Sequence, residues 1–201
     1  PKLEVSPVII LSSNDGCAIA RSNEAKALGV KMAQPLYQIS DIVKKHDIQV
    51  LSANFHLYTD MSNRVMQVLA DMAPAAQKYS VDECFLDITG MTDDLDAFGQ
   101  AVQRRVKQWT GIPVGVGIAE TKTLAKVANR IAKVSKKTGG VLNLVGSQWQ
   151  EKALEKTEVG DVWGIGKQYA KKLNRNGVKT ALDLIGQPDR WIRKEMGVGA
   201  L

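Results

Sequence analysis

The sequence contains few of the residues that build cross-links or zinc sites. Two cysteines, Cys17 and Cys84, and two histidines, His46 and His56, occur among 201 residues. Their number and spacing fit neither a disulfide framework nor a zinc site, and two isolated histidines do not form a ligand cluster. We therefore expect a protein of the reducing cytoplasm.

Long hydrophobic runs are also missing. Apolar residues make up 44% of the chain, but no stretch approaches the about 18 consecutive apolar residues that mark a membrane span. No basic segment leads into an apolar one in the secretory pattern. We expect neither export nor a membrane partner, and at about 100–200 residues per domain the length allows one or two domains.

Two glycine-rich phosphate motifs are excluded. Residues 117–123 begin with glycine and end in Lys-Thr, but they lack the second glycine of a P-loop. Gly115 and Gly117 are not followed by the third glycine of a dinucleotide fingerprint. If the chain binds nucleotides, it does so through another arrangement.

Charge is divided unevenly along the chain, although its net value is +6. Residues 1–100 carry 8 Lys and Arg against 13 Asp and Glu, a net charge of −5. Residues 101–201 carry 19 against 8, a net charge of +11. A basic half points towards nucleic acid or another anionic surface, although a solvated basic face is the alternative.

Local patterns predict a β-hairpin followed by a short helix in the first part of the chain. Residues 8–11 and 17–20 are short β-prone runs, and Asp15-Gly16 between them is a strong turn signal. Ser22 is suited to cap a helix that ends at Gly29. A second short helix is predicted at residues 39–43 and a strand at residues 48–51.

Longer amphipathic helices follow, because apolar residues recur at spacings of three and four in residues 55–72 and 95–109. The predicted inner face of the second helix consists of Phe98, Val102, Val106 and Trp109. Residues 113–119 are typical of a buried strand. Helices and strands in this order, with nearly antiparallel strand character, predict an α+β layer with helices on one face of a sheet.

A β-prone run at residues 79–89 contains two adjacent acids, Asp82 and Glu83. In one straight strand they would point to opposite faces, whereas a kink or tight turn would let them converge. Paired carboxylates suit Mg²⁺, and two such ions would serve phosphoryl transfer. The alternative is a solvated β-turn. Asp87 is expected to face solvent.

Residues 121–133 predict a helix with one basic stripe and one apolar face. The stripe consists of Lys122, Lys126, Asn129, Arg130 and Lys133, and the apolar face of Leu124, Val127, Ala128 and Ile131. The stripe predicts either phosphate contacts or a solvated surface.

Beyond a predicted linker at residues 136–140, two glycines precede a basic helical segment. Gly164 and Gly166, followed by Lys167 and Lys171, resemble the helix-hairpin-helix motif, in which backbone amides hold a DNA phosphate without reading sequence. A tight turn between two helices is the alternative. Residues 177–185 would complete the helical unit.

Taken together, these motifs resemble Y-family translesion DNA polymerases, most of all the UmuC-like branch, the catalytic subunits of bacterial DNA polymerase V. The resemblance covers nearly the whole chain and rests on residues 12–22, 24–32, 79–83, 114–119, 121–126 and 162–166. It implies fingers at residues 1–54, a palm with a mostly antiparallel sheet at 55–140, and an all-helical thumb at 141–201.

The resemblance also implies the roles of individual residues. Asp82 matches a metal-binding carboxylate and Glu83 the adjacent acid, which together would serve catalysis with two Mg²⁺ ions. Lys133 matches a lysine that contacts the incoming triphosphate. Arg21 and Lys26 could reach the same phosphates, although either could be an ordinary surface cation. Asn23 departs from the tyrosine of other branches, whereas Lys26 replaces an arginine and retains its charge.

The implied function is error-prone translesion synthesis in DNA repair and the SOS response. Its substrates would be primer-template DNA and deoxynucleoside triphosphates, and its partners a UmuD-like subunit, a RecA filament and a sliding clamp. Family members begin with a palm strand and end with a little finger that this sequence lacks, so we expect a truncated and inactive chain. Two alternatives are a non-catalytic DNA-binding module and a nucleotidyl cyclase.

Overall fold

The computed structural model describes residues 3–200, which divide into two compact units. The first unit ends at Asp60 and the second begins at Met61. No helix among residues 3–200 is both long enough and apolar enough to cross a membrane. The division into fingers, palm and thumb at residues 54 and 140 stays a prediction.

The first unit is built on a three-stranded sheet. Strand β1 (Val8–Leu11) lies between β2 (Ala18–Arg21), to which it is antiparallel, and β3 (Gln49–Ser52), to which it is parallel. The predicted hairpin is confirmed, and Asp15 adopts a left-handed φ of 50° in its turn.

Short helices cover this sheet. They are α1 (Asn23–Ala27), a 3-10 turn (Leu36–Gln38) and α2 (Ser40–Lys45). The predicted cap of α1 is confirmed, since the Ser22 hydroxyl accepts from the Ala25 amide at 3.2 Å. A buried apolar cluster joins sheet and helices and consists of Ile9, Leu11, Ala18, Ala25, Val30, Ile39 and Ile48.

Helix α3 (Phe55–Ala70) contains the boundary between the units. It is followed in the second unit by an antiparallel hairpin, β4 (Ala75–Lys78) and β5 (Cys84–Asp87), and then by α4 (Leu95–Thr110). Helices α3 and α4, with Met72 just after α3, share a buried cluster that consists of Val65, Val68, Met72, Val102 and Val106.

One inner-face prediction for α4 is wrong. Trp109 is 62% exposed, and the Arg105 guanidinium lies 5.6 Å from the centre of its ring. Trp109 occupies the last turn of α4, which ends at Thr110, one turn beyond Val106. The helical period alone does not show where along a helix its contact with the core stops.

A parallel strand pair follows, β6 (Val116–Ile118) and β7 (Val141–Asn143), connected through α5 (Lys122–Val134) and a 3-10 turn (Lys136–Thr138). Parallel strands need such a crossover, whereas β4 and β5 need only a short turn. The α+β class is confirmed. The strands of residues 3–200 form three small sheets, with two antiparallel and two parallel pairs.

Short helices make up the rest of the described chain. They are α6 (Gln150–Glu155), α7 (Lys167–Arg175), α8 (Ala181–Ile185) and α9 (Asp189–Met196), with 3-10 turns at Val159–Asp161 and Val198–Ala200. Helices α7 and α9 share a core that consists of Val159, Leu173, Val178, Ile192 and Met196, whereas Ala153 of α6 packs with Val127, Ala128 and Leu144.

Candidate active site

The two adjacent acids lie in the turn between β4 and β5, which we call the acidic turn (residues 79–83). The amides of Tyr79 and Ser80 both donate to the Glu83 carbonyl, at 3.0 and 3.2 Å. The Ser80 hydroxyl donates to Oδ1 of Asp82 at 2.7 Å and accepts from the Asp82 amide at 3.3 Å. Of the two geometries considered from sequence, the structure contains the tight turn.

The two carboxylates have different surroundings. Asp82 is exposed, whereas both oxygens of Glu83 accept from the Nζ of Lys126, at 2.9 and 3.0 Å. The side chains of this ion pair are 26% (Lys126) and 34% (Glu83) exposed. No group of three or more His, Cys, Asp or Glu side chains among residues 3–200 is arranged to hold a metal.

Asp87 and Cys84 flank the acidic turn on β5 without joining it. The Thr89 hydroxyl donates to Asp87 at 2.7 Å and, with the Thr89 amide, lowers the pKa of its carboxyl. Asp87 is exposed, as expected. Burial raises the pKa of the half-buried Cys84 thiol.

Helix α5 carries the predicted basic stripe. The Thr121 hydroxyl caps its first turn by accepting from the Leu124 amide at 3.2 Å, and Val127, Ala128 and Ala132 are buried on its inner face. The cations of the predicted stripe lie along the opposite face of α5, at the predicted spacing.

Most polar groups of this stripe are bound within the protein. Lys122 donates to the amide oxygen of Gln77, Asn129 to the Gly115 carbonyl at 2.6 Å, and Arg130 pairs with Asp161 at 2.5 Å. Lys133, by contrast, is exposed and makes no hydrogen bond or ion pair within the described part of the chain. From the sequence we predicted either phosphate contacts or a solvated surface for this stripe. These internal contacts were not predicted.

Three aromatic rings meet beside the acidic turn. Tyr79 lies 5.8 Å from Phe85 and 5.3 Å from Trp163, and Phe85 lies 5.5 Å from Trp163, between ring centres. The indole Nε1 of Trp163 donates to the Tyr79 hydroxyl at 2.9 Å. Sequence analysis did not identify this cluster. Its only local signal was a tryptophan beside the glycines of the predicted DNA-binding turn.

The predicted DNA-binding glycines occupy what we call the glycine turn (residues 162–166), which enters α7. Gly164 has a φ of +92°, a left-handed conformation that favours glycine. Gly166 is the N-cap residue of α7, and no side chain caps this helix end. Lys167 and Lys171 are exposed. The first amides of α7 are therefore free to face a ligand.

In the first unit, the two predicted phosphate-binding cations have local contacts. The Arg21 guanidinium donates to the Val30 carbonyl at 2.9 Å, and its buried Nε has no hydrogen-bond partner in the described chain. Lys26 is exposed and donates to Asn23 at 3.3 Å. Arg21 is therefore partly engaged in holding the loop after α1, whereas Lys26 remains accessible.

Comparison with known proteins identifies the family. The model of the impB/mucB/samB family matches residues 1–130. The chain belongs to this family. Protein UmuC of Salmonella typhimurium is 45% identical over 98% of the chain and 48% of its own length. This impB/mucB/samB membership confirms the resemblance to the UmuC-like branch.

A more distant relative and two solved structures are also similar to the chain. DNA polymerase IV of Corynebacterium diphtheriae is 29% identical over 98% of the chain and 44% of its own length. A ternary complex of Dbh superposes with a TM-score of 0.81 at 24% identity, covering 100% of this chain and 58% of that one. DinB from Sulfolobus solfataricus gives a TM-score of 0.79, with 99% and 58% covered.

These similarities establish the fold of this impB/mucB/samB family member. The chain spans about half the length of the relatives it matches, since the aligned part is 48% of Protein UmuC. The superposition with Dbh, at 24% identity, shows the shared fold and not the role of any side chain.

Proposed function

We propose that this protein takes part in error-prone, template-directed DNA synthesis, adding deoxynucleotides to a primer as a Y-family polymerase. The observation that carries the proposal is the acidic turn, which presents an exposed carboxylate, Asp82, beside an ion-paired one, Glu83. Family membership supports it, and the positive charge of the second half of the chain suits a nucleic-acid substrate.

Asp82 is the residue best suited to hold a metal. One of its oxygens accepts from Ser80, and its exposed carboxylate is a hard oxygen ligand of the kind that Mg²⁺ prefers. Glu83 would contribute only if Lys126 released one of its two oxygens. Bound as a pair, Mg²⁺ ions would activate the attacking oxygen and stabilise the leaving one.

The cations are proposed to bind the substrates. Lys133, exposed and without an ion pair within residues 3–200, is suited to the triphosphate. Arg21 and Lys26 of the first unit remain proposed phosphate-binding residues. On the DNA side, the unsatisfied amides at the start of α7, shaped by Gly164 and Gly166, would hold a backbone phosphate.

Lys167 and Lys171 would add charge beside that phosphate without reading sequence. The proposed domains remain fingers at residues 1–54, palm at 55–140 and thumb at 141–201. A UmuD-like subunit, a RecA filament and a sliding clamp remain proposed partners, and no described residue is assigned to them.

The test is Mg²⁺-dependent primer extension by the product of the complete gene, compared with its Asp82→Ala variant. We expect the substitution to lower the single-turnover rate by about a thousandfold or more while leaving primer-template affinity unchanged. Asp93→Ala, in an exposed loop before α4, is the matched control and should retain full activity.

Each outcome of this experiment distinguishes between functions. Unaltered synthesis by Asp82→Ala would show that the acidic turn is not catalytic. A wild-type protein that binds primer-template but never extends it would instead indicate a non-catalytic DNA-binding module. Turnover of free nucleotides without primer or template would indicate a cyclase.

A further inference from the structure

The hairpin that carries the acidic turn has little support of its own. Its strands β4 and β5 have four residues each, and every residue of β4 is exposed. Neither strand contributes to the buried apolar clusters found within residues 3–200. Because an isolated two-stranded hairpin is only marginally stable in water, other contacts must hold this turn in place.

Side chains from outside the hairpin provide those contacts. Trp163 donates to the Tyr79 hydroxyl at 2.9 Å and packs edge-on against its ring. The Nζ of Lys126 lies 5.0 Å from the Tyr79 ring centre and 5.8 Å from that of Trp163, while it pairs with Glu83. One cation and one indole thus hold both ends of the acidic turn.

The ring of Trp163 packs against the hairpin and not within the buried cluster of its own segment. Trp163 belongs to the glycine turn, directly before Gly164, yet it is not a member of the buried cluster around Val159 and Leu173. Its ring contacts are instead with Tyr79 and Phe85 of the hairpin. The indole therefore connects the turn proposed to hold DNA with the turn proposed to be catalytic.

We propose that Trp163 is a positioning residue that latches the acidic turn to the glycine turn. The catalytic part of this inference rests on the proposed function. The latch keeps a constant distance between the carboxylate of Asp82 and a DNA backbone held at Gly164 and Gly166. Trp163 itself contacts neither reacting atom, so its effect on synthesis passes through the placement of Asp82.

The latch is tested first without any enzymatic readout. Amide hydrogen exchange at Tyr79 and Ser80, whose amides donate to the Glu83 carbonyl, reports opening of the acidic turn. Loss of the indole hydrogen bond and ring contacts in Trp163→Ala should accelerate their exchange about tenfold. Trp163→Phe, which keeps a ring but not the donor, should give a smaller increase.

Trp149→Ala is the matched control. Trp149 is also partly exposed and has a lysine, Lys152, 5.4 Å from its ring centre, but it lies at the start of α6, and none of its described contacts is with the hairpin. Its removal should leave exchange at Tyr79 and Ser80 unchanged. Far-ultraviolet circular dichroism establishes that each variant is folded.

The second arm measures synthesis by the complete gene product. Trp163→Ala should reduce the single-turnover incorporation rate about tenfold while primer-template affinity changes by less than about twofold, because the phosphate contacts remain. Trp163→Phe should recover most of the rate. Loss of a residue that only stabilised the fold would not lower the incorporation rate while leaving primer-template affinity nearly unchanged.

The hydrogen-exchange and synthesis measurements test the latch and the proposed function separately. Unchanged exchange at the acidic turn in Trp163→Ala would overturn the latch whether or not the protein synthesises DNA. Accelerated exchange with an unaltered incorporation rate would overturn the positioning role. Absence of synthesis by the wild-type protein would overturn the proposed function, while the exchange data would still decide the latch.

Discussion

Lys126 on α5 and Glu83 in the acidic turn form an ion pair in which one ammonium binds both carboxylate oxygens, at 2.9 and 3.0 Å. The two adjacent acids therefore differ, because Glu83 is ion-paired whereas Asp82 is exposed. The ion pair also places a positive charge beside the turn where the proposed chemistry would develop negative charge.

Replacement of Lys126 by Met should impair synthesis far more than folding. The pair is a quarter to a third exposed, so its loss should lower the free energy of unfolding by about 1 kcal/mol or less. Single-turnover incorporation should fall at least about tenfold, because the acidic turn loses the positive charge that lies beside the proposed site of developing negative charge. Lys126→Arg, which can bind both oxygens, should retain more of the rate. A loss of several kcal/mol would identify a purely structural pair.

Gly117→Ala should destabilise the protein strongly. A β-carbon at Gly117 would collide with the backbone amide of Asn129 and the backbone carbonyl of Ala125, both in α5. Because backbone atoms cannot rotate away, we expect the free energy of unfolding to fall by about 3 kcal/mol in chemical denaturation. Gly16→Ala, whose β-carbon would meet nothing nearer than 3.9 Å, is the control. Equal stability of both variants would contradict the observed packing of β6 against α5.

Lys167→Ala and Lys171→Ala should weaken primer-template binding at every sequence. If each lysine contacts one phosphate, each substitution should reduce the slope of log affinity against log salt by about 1. Fluorescence anisotropy at several salt concentrations measures this slope. Lys156→Ala, at an exposed lysine outside both the glycine turn and α7, should leave it unchanged. If only Lys156→Ala changed the slope, the DNA would bind away from Lys167 and Lys171.

Asp183 should contribute to stability above about pH 4. The amides of Lys179 and Thr180, and then the Thr180 hydroxyl, lower the pKa of its carboxyl in the capping box of α8. A depressed folded-state pKa stabilises the protein above the unfolded value of about 3.9, and this contribution is lost as pH falls through the folded pKa.

Thermal unfolding from pH 6 to pH 3 checks this dependence. Asp183→Asn should unfold at a lower temperature at pH 6 and lose less stability than wild type on acidification. Asp87 and Glu24, whose pKa values are also lowered by hydrogen bonds, leave part of the acid sensitivity in both proteins. Parallel curves for the two proteins would show that the capping box does not depend on the charge of Asp183.

Local signals in the sequence were sufficient for most of the regular structure. Turn residues, caps and apolar spacing predicted the first hairpin, the Ser22 cap and the long helices, because these features depend on neighbours a few residues apart. The same spacing predicted the inner face of α5 correctly but placed Trp109 inside, since periodicity records direction around a helix and not the extent of the core.

The candidate site was predictable in composition but not in arrangement. Sequence alone determined that adjacent acids, a basic helix and a glycine turn are present, and motif resemblance determined the family. Only the tertiary structure decided that Glu83 pairs with Lys126 and that Trp163 reaches Tyr79, 84 residues away along the chain. Contacts over such separations leave no periodic trace, because they depend on how the hairpin, α5 and the glycine turn pack together, which no local pattern encodes.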